Sequence, residues 1–301
     1  MSGLGAGRGQ ARRHCGALAA ALAAALSLAA SATAPAEPGV RYWPSPMGGG
    51  GEIGRIAGGP PSPRAAPVRA DPKLLVLIYH NLVYGRTGNE YNRDLYNFEH
   101  DLDFLRRNFR VLSFRDLVEL REGRSPMTQD AAIISFDDGD LSLYALAFPL
   151  LREYGLKATF FIVPEFVGKV GYMSWEQIRE IAAWTGPDGG RPFEIGSHSA
   201  SHRELGGLSP EELERELRDS KAAIEAATGL PVETLALPFG SGAGRPDILG
   251  MAAAAGYRAI RSSVQAAPPI GAVDLLDIGA LSVDNGSHDS FVQRALRLLG
   301  R

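Results

Sequence analysis

The feature that most constrains the fold is a regular alternation of short apolar runs with amphipathic segments, which continues from Lys73 to Leu299. Most of the apolar runs are continuous, a pattern typical of strands buried on both faces. The predicted strands are residues 74–79, 131–136, 158–163, 193–195, 234–237 and 257–260, with a weaker one at 275–278. Strands that alternate with helices over this length predict a parallel α/β barrel or a doubly wound sheet.

The helices between these strands have recognisable ends. The clearest one begins with a capping box at Ser209, has Pro210 at its first position and ends at Gly229. A second capping box opens a helix after Ser174, and an apolar stripe predicts a third helix over residues 98–109.

Three regions follow one another along the chain. Residues 1–36 have the basic start, the Ala/Leu run and the small residues of a secretory signal, with an uncleaved membrane anchor as the alternative. Residues 37–70 are rich in Gly and Pro and predict a flexible tether, and residues 71–301 predict a single domain. We therefore expect an exported protein, in the periplasm, outside the cell or at the cell envelope, with no stable membrane insertion after signal cleavage. The Arg12-Arg13 pair leaves twin-arginine export open beside the general route.

Cysteine content and charge exclude several classes of partner. The one cysteine, Cys15, lies in the signal segment, so any metal in the mature chain must be held by His, Asp or Glu. Residues 1–36 contain three Arg and no acidic residue, so their removal changes the net charge from −3 to about −6. This charge argues against nucleic acid as a partner and suits a neutral or cationic polymer.

Two aspartates stand where a predicted buried strand ends. The strand at 131–136 runs directly into Asp137 and Asp138, and sites in parallel α/β folds are built at such carboxyl ends. Two adjacent buried carboxylates repel each other unless a cation neutralises them. The pair therefore indicates a metal site, with a simple Asp-Gly turn as the alternative.

Histidines supply the other candidate ligands. His198 and His202 follow the strand at 193–195 at a spacing that can direct both imidazoles to one ion, although a solvated face has the same spacing. His80 ends the first strand and is expected at the same rim, with an ordinary core or loop histidine as the alternative. The segment 237–240, Leu-Pro-Phe-Gly, brings a rigid aromatic to that rim.

Together these segments resemble the polysaccharide deacetylase (NodB-homology) family, the family 4 carbohydrate esterases. Residues 135–139 are similar to its first motif, 198–202 to its second, 237–240 to its third, and 157–161 to the segment after the first motif. The resemblance implies a distorted (β/α) barrel in one domain. It also implies that Asp137 is the general base and that Asp138, His198 and His202 bind one divalent ion, zinc in the first place, with cobalt or nickel as alternatives.

The chain departs from the family pattern in two places. Ala236 stands near the position where the third motif usually begins with an arginine that orients the base. No clear C-terminal histidine motif supplies the general acid, because His288 reads better as the start of the last helix. His80 resembles the N-terminal acid of the exopolysaccharide de-N-acetylase branch, so we prefer His80 to His288. Pro238, Phe239, Gly240, Tyr79 and Trp175 are the candidate sugar-binding residues.

The resemblance implies a metal-dependent hydrolase that removes N-acetyl groups from a β-linked N-acetylglucosamine-type polysaccharide, such as an exopolysaccharide, a chitin-like polymer or peptidoglycan. Two alternatives remain. A polysaccharide O-acetyl esterase would use the same metal and base with a less demanding acid. A catalytically silent carbohydrate-binding scaffold is motivated by the missing arginine.

Overall fold

The computed structural model describes residues 42–43, 54–55, 66–85, 87–123 and 127–301. The predicted signal segment and most of the predicted tether lie outside these residues. The chain divides into two units, Met1–Gly59 and Pro60–Arg301. In the first unit, strand β1 (Tyr42–Trp43) pairs antiparallel with β2 (Gly54–Arg55).

The second unit alternates strands with helices. Its strands are β3 (Leu74–Tyr79), β4 (Asn81–Val83), β5 (Asn92–Asp94), β6 (Arg110–Leu112), β7 (Ala131–Phe136), β8 (Ala158–Ile162), β9 (Phe193–Ser197), β10 (Thr234–Ala236), β11 (Ala259–Arg261) and β12 (Leu281–Ser282). Its helices are α1 (Leu95–Asn108), α2 (Phe114–Arg121), α3 (Phe148–Tyr154), α4 (Trp175–Ala183), α5 (Pro210–Thr228), α6 (Pro246–Ala254) and α7 (His288–Leu299). A π-helical turn at Leu143–Ala147 and short 3-10 turns, among them Pro238–Gly240, complete the described elements.

Eight strands form one sheet in the order β11, β10, β9, β8, β7, β3, β12, with β6 beside the first half of β7. Every strand pairing within this sheet is parallel. Strands β3, β7, β8, β9, β10 and β11 lie side by side in the same order as in the chain. Their order does not reverse, as it would in a doubly wound sheet. The barrel prediction is therefore confirmed, and the doubly wound alternative is wrong.

The segment before β12 links the two edges of the sheet. Ile278 donates to the Ile260 carbonyl at 2.8 Å and accepts from the Ser262 amide at 2.9 Å, and Leu281 then pairs with Leu77 of β3. Ile278 makes only an isolated bridge, to Arg261, so the strand predicted at 275–278 is displaced to β12. The chain there contacts each edge in turn, and this irregular closure distorts the barrel.

Local sequence explains why the elements begin and end where they do. All residues of β3 and β7 are buried, as expected for continuous apolar strands covered on both sides. Helix α5 has the predicted capping box at Ser209, Pro210 at its first position and the left-handed Gly229 at its end. The predicted capping box at Ser174 likewise opens α4. Within the described residues, none of the helices is both long and apolar enough to cross a membrane.

Candidate active site

The carboxyl ends of neighbouring parallel strands bring the predicted chemical groups to one rim. Asp137 follows β7, its amide donates to the Tyr79 carbonyl at 2.9 Å, and it is 3% exposed. Asp138 comes next with φ 70°, a left-handed conformation in which a non-glycine residue is uncommon. This turn at the strand end separates the environments of the two carboxylates, because Asp137 is fully covered while Asp138 keeps 24% of its side chain exposed.

His198 directly follows β9 and is buried. Its Nδ1 is 2.9 Å from the Ala236 carbonyl, an oxygen that can only accept, so Nδ1 carries the proton and Nε2 carries a lone pair. Burial lowers the pKa of His198 and outweighs the opposite effect of Asp137 and Asp138, so the ring is neutral. That neutral Nε2 lies 3.5 Å from Asp138 Oδ1 and 3.6 Å from Asp137 Oδ2.

His202 reaches the same point from a tightly held loop. Its Nε2 is 3.2 Å from Asp138 Oδ1, and its amide donates to Ser199 Oγ at 3.0 Å. The loop contains two residues with left-handed backbone, Ser199 and His202. Glu216, from α5, accepts hydrogen bonds from the amides of Ala200 and Ser201, each at 2.9 Å, and from the Ser201 hydroxyl.

Asp138, His198 and His202 fit a divalent cation. One potential ligand atom of each residue lies within 4.8 Å of the other two. Burial acts to raise the pKa of Asp138, but contact with His202 and the nearby His198 and His80 lower it to about 2, so the carboxylate is ionised. Asp138 Oδ1 is buried and has no hydrogen-bond partner among the described residues, although two imidazole Nε2 atoms are close. A cation would satisfy this oxygen and the His198 lone pair together.

Arg261 is a residue of the site that the sequence did not identify. In the register of β10 and β11 it lies opposite Ala236, the residue found where the family usually places its arginine. Its Nη2 donates to both oxygens of Asp137, at 2.5 and 2.6 Å, and both side chains are almost fully buried. Burial acts to raise the pKa of Asp137, but the guanidinium, with smaller contributions from His198 and His80, holds it below its ordinary value. The neighbouring strand therefore supplies the missing positive charge.

His80, and not His288, lies at the cavity that these residues form. The cavity has a volume of about 470 Å³, and His80 lines it with Asp137, Asp138, His198, His202 and Arg261. The His80 Nδ1 atom is buried and has no hydrogen-bond partner in the described part of the chain. His288 begins α7 and directs its Nδ1 to Asp101 at 2.7 Å, away from the lining residues.

The predicted sugar-binding residues divide into two groups. Phe239 and Gly240 line the cavity, and Phe239 is 65% exposed with φ 57°. Tyr79, Pro238 and Trp175 are not among the lining residues. Tyr79 points to the opposite face of β3 from Ile78 and His80, where it is buried against Phe98 and bonded to Asp101. Pro238 is buried within the 3-10 turn Pro238–Gly240, and Trp175 is the first residue of α4.

Backbone strain is concentrated at this rim. Among the described residues, the non-glycine residues with positive φ are Asp138, Ser199, His202 and Phe239. Each conformation of this kind costs free energy, on the order of 1 to 3 kcal/mol, and persists where the surrounding structure holds it. All four residues belong to the motifs at the cavity, so the strain coincides with the candidate site.

The fold and the site together define a distorted parallel barrel with a two-histidine, one-carboxylate group and a second, arginine-bound aspartate at its rim. A family model for polysaccharide deacetylase matches residues 124–260. The protein YxkH of Bacillus subtilis (strain 168), which is named for the polysaccharide deacetylases, is 29% identical over 170 residues, 56% of this chain and 57% of its own length. The poly-beta-1,6-N-acetyl-D-glucosamine N-deacetylase of Escherichia coli (strain K12) is 27% identical over 112 residues, 32% of this chain and 16% of its own.

A solved structure shows the same fold. The Streptococcus pyogenes deacetylase PplD in complex with acetate superposes with a TM-score of 0.63 at 19% identity, over 74% of this chain and 98% of that one. The chain contains a polysaccharide deacetylase (NodB-homology) domain, which the family model matches over residues 124–260. It spans little more than half of the length of YxkH and a smaller part of the length of the Escherichia coli enzyme.

Proposed function

We propose that this chain is a metal-dependent hydrolase that removes N-acetyl groups from a β-linked N-acetylglucosamine-type polysaccharide. The observation that carries the proposal is the pairing of two aspartates with different partners at one cavity. Asp138 faces two imidazole nitrogens, while Asp137 is bound to Arg261. An acetylated polysaccharide is the substrate class that the family suggests, and the name of the Escherichia coli relative supports an N-acetylated glucosamine polymer.

Asp138, His198 and His202 would hold the metal, which would supply Lewis-acid chemistry for the acetyl carbonyl and would make the attacking water more acidic. Two nitrogens and one carboxylate oxygen suit zinc, cobalt or nickel. His198 is prepared for this role because its Nδ1 is bonded to the Ala236 carbonyl, which fixes the tautomer and leaves Nε2 free to bind.

Asp137 acts as the general base. It is ionised because Arg261 lowers its pKa, and the Arg261 contact with both oxygens fixes the orientation of the carboxylate. As water attacks the acetyl carbonyl, Asp137 takes its proton. The C–N bond then breaks, acetate leaves, and the sugar nitrogen needs a proton to depart as an amine.

His80 acts as the acid that protonates this nitrogen. It lines the cavity beside Asp137 and Asp138, and its buried Nδ1 makes no hydrogen bond within the described residues. An ester releases an alkoxide more easily than an amide releases an amine, so the acid matters more for N-acetyl than for O-acetyl substrates.

The silent scaffold loses its motivation in this structure, because Arg261 supplies the arginine that Ala236 does not. The O-acetyl esterase shares all of the groups named above and is separated from the proposed function by experiment.

Export and the assignment of residues 1–36 as signal, 37–70 as tether and 71–301 as the catalytic domain remain part of this proposal. The N-terminal composition supports them. The exported polysaccharide of a cell envelope is the kind of substrate that such a location would offer.

The test is acetate release from an N-acetylglucosamine oligosaccharide and from an O-acetylated xylooligosaccharide, by the zinc-loaded wild-type protein and by His80→Ala. We expect release from the first substrate, and a loss in the variant that is larger for the amide than for the ester. Release from the ester alone would favour the esterase. No release from either substrate with any divalent ion would favour the scaffold.

A further inference from the structure

An aromatic residue outside the family motifs lies at the edge of the candidate acid. Tyr91 lines the cavity, and its ring centroid is 4.9 Å from that of His80 at an interplanar angle of 63°. It lies in the turn directly before β5, whose short ladder with β4 is separate from the barrel sheet. Sequence patterns gave no reason to select it, because it stands in a polar segment of Asn, Glu and Arg.

The position of Tyr91 is fixed by its backbone. Its carbonyl accepts from the amide of Asn81, the residue after His80, at 3.1 Å. Its own amide donates to Asn89 Oδ1 at 3.0 Å, and Asn89 also lines the cavity. These two hydrogen bonds of the Tyr91 backbone hold residue 91 close to the residue that follows His80.

Tyr91 is nevertheless 49% exposed. Phe239, the other strongly exposed aromatic that lines this cavity, is 65% exposed and contacts His202 at a ring distance of 4.6 Å. One exposed ring therefore adjoins the candidate acid and the other adjoins a candidate metal ligand. Apolar ring surface left open at a polar cavity is available to a ligand that has both apolar faces and polar edges.

A pyranose ring has this character, because its axial C–H groups form an apolar face and its hydroxyl and acetamido groups lie at the edge. We propose that Tyr91 is a substrate-binding platform, against which the acetylated glucosamine ring packs when its acetamido group reaches Asp137 and His80. This inference rests on the proposed function and deepens it, because it assigns recognition of the sugar ring to the turn that precedes β5. Tyr91 takes the place that the sequence had suggested for Tyr79 and Trp175.

The experiment combines binding with turnover. Binding of chitopentaose is measured by calorimetry for the wild-type protein, Tyr91→Ala and Tyr91→Phe, and hydrolysis of 4-nitrophenyl acetate, which has no sugar, is measured for the same proteins. The matched control is Tyr84→Ala, a tyrosine of the same segment that is 63% exposed and is not among the cavity-lining residues.

We expect Tyr91→Ala to weaken chitopentaose binding, and to raise KM for its deacetylation, by about tenfold, since an aromatic packing contact has that order of strength. Tyr91→Phe keeps the ring and should bind nearly as the wild type does. Hydrolysis of 4-nitrophenyl acetate and all properties of Tyr84→Ala should be unchanged.

Two results would overturn the inference: wild-type affinity in Tyr91→Ala, or an equal loss with 4-nitrophenyl acetate, which would mean a general structural role. Because binding is measured apart from turnover, the two proposals can fail separately. Tyr91-dependent binding without acetate release would contradict the proposed function and keep the platform. Acetate release that does not change when Tyr91 is replaced would support the proposed function and contradict the role of Tyr91 as a platform.

Discussion

Asp137 and Asp138 are adjacent residues, yet the protein gives their two carboxylates different environments. Asp137 is covered and bound to Arg261, whereas Asp138 is partly open and faces His198 and His202. Both carboxylates have lowered pKa values, so both are ionised, but their partners differ in kind. The Arg261 guanidinium binds Asp137, whereas a metal ion would suit Asp138.

The first prediction concerns Arg261. In Arg261→Met the burial of Asp137 is no longer offset, so its pKa rises and the acidic limb of kcat/KM moves to higher pH. Loss of the carboxylate's orientation should also lower kcat/KM by about 100-fold. The measurement is the pH profile of acetate release.

Arg258→Met is the matched control, since Arg258 lies three residues earlier but is 39% exposed and pairs with Glu122 and Glu233. Arg261→Lys should be impaired as well, because an ammonium reproduces the guanidinium contact poorly. An unchanged pH profile in Arg261→Met, with the fold intact by circular dichroism, would contradict the role given to Arg261.

The second prediction concerns Asp137 itself. Asp137→Asn keeps the shape of the side chain but cannot take a proton, so kcat should fall by about 10²- to 10⁴-fold. Zinc stoichiometry should stay the same, because Asp137 is outside the proposed ligand set. Turnover at the wild-type level with metal bound would exclude Asp137 as the base.

At the scale of elements, helix α5 shapes the loop that carries His202. Glu216 is 7% exposed and accepts three hydrogen bonds from the loop, two of them from backbone amides between the histidines. The left-handed conformations of Ser199 and His202 need such support, because neither residue is glycine.

The third prediction is that Glu216→Ala weakens zinc binding about 10- to 100-fold, the usual effect of losing a group that supports metal ligands. Competition with a zinc chelator gives the affinity directly. Glu214→Ala is the control on the same helix, because Glu214 is 54% exposed and pairs with Arg218. Equal affinities in the two variants would show that the loop keeps its shape without Glu216.

The fourth prediction concerns β9, where Glu194 is buried. Burial raises the pKa of Glu194, and the opposing effect of Arg115 is smaller. A raised pKa in the folded state means that stability is fully present below the unfolded pKa and is lost as pH rises through the folded value. The side chain of Glu194→Gln cannot ionise. The free energy of unfolding of this variant should therefore increase relative to that of the wild type as the pH rises above about 4.5. Urea denaturation at pH 4.5 and 7.5 measures this, and a difference that is the same at both pH values would contradict it.

At the scale of the whole molecule, the sequence predicted the parts of the site that are contiguous in the chain. Strands β3 and β7 lie where their apolar runs indicated, and Asp137, Asp138, His198 and His202 follow strands whose carboxyl ends meet. A parallel barrel brings the carboxyl ends of its strands to one rim. Residues that directly follow these strands could therefore be assigned to one site from the sequence alone.

Contacts that depend on strand register could not be predicted in this way. Arg261 meets Asp137 across 124 positions, and only the pairing of β10 with β11 places it beside Ala236. Its one sequence signal was an arginine at the end of an apolar strand. Tyr91 and Glu216 gave weaker signals still, because a tyrosine in a polar segment and a glutamate in an acidic helix are ordinary at surfaces.

The fifth prediction is that the activity resides in the unit Pro60–Arg301. All residues of the candidate site lie within it. A chain that begins at Pro60 should fold and release acetate with unchanged kcat and KM. Loss of activity in this shorter chain, with normal zinc binding, would assign a catalytic part to residues 1–59.

A zinc titration of the metal-free protein, followed by measurement of acetate release from an N-acetylglucosamine oligosaccharide, tests the proposed metal dependence. We expect almost no acetate release without metal and a rise in release that ends at one zinc per chain, whereas Asp138→Asn should need a large excess of zinc. Full release from the metal-free protein, or none when zinc is bound, would contradict the proposed metal dependence.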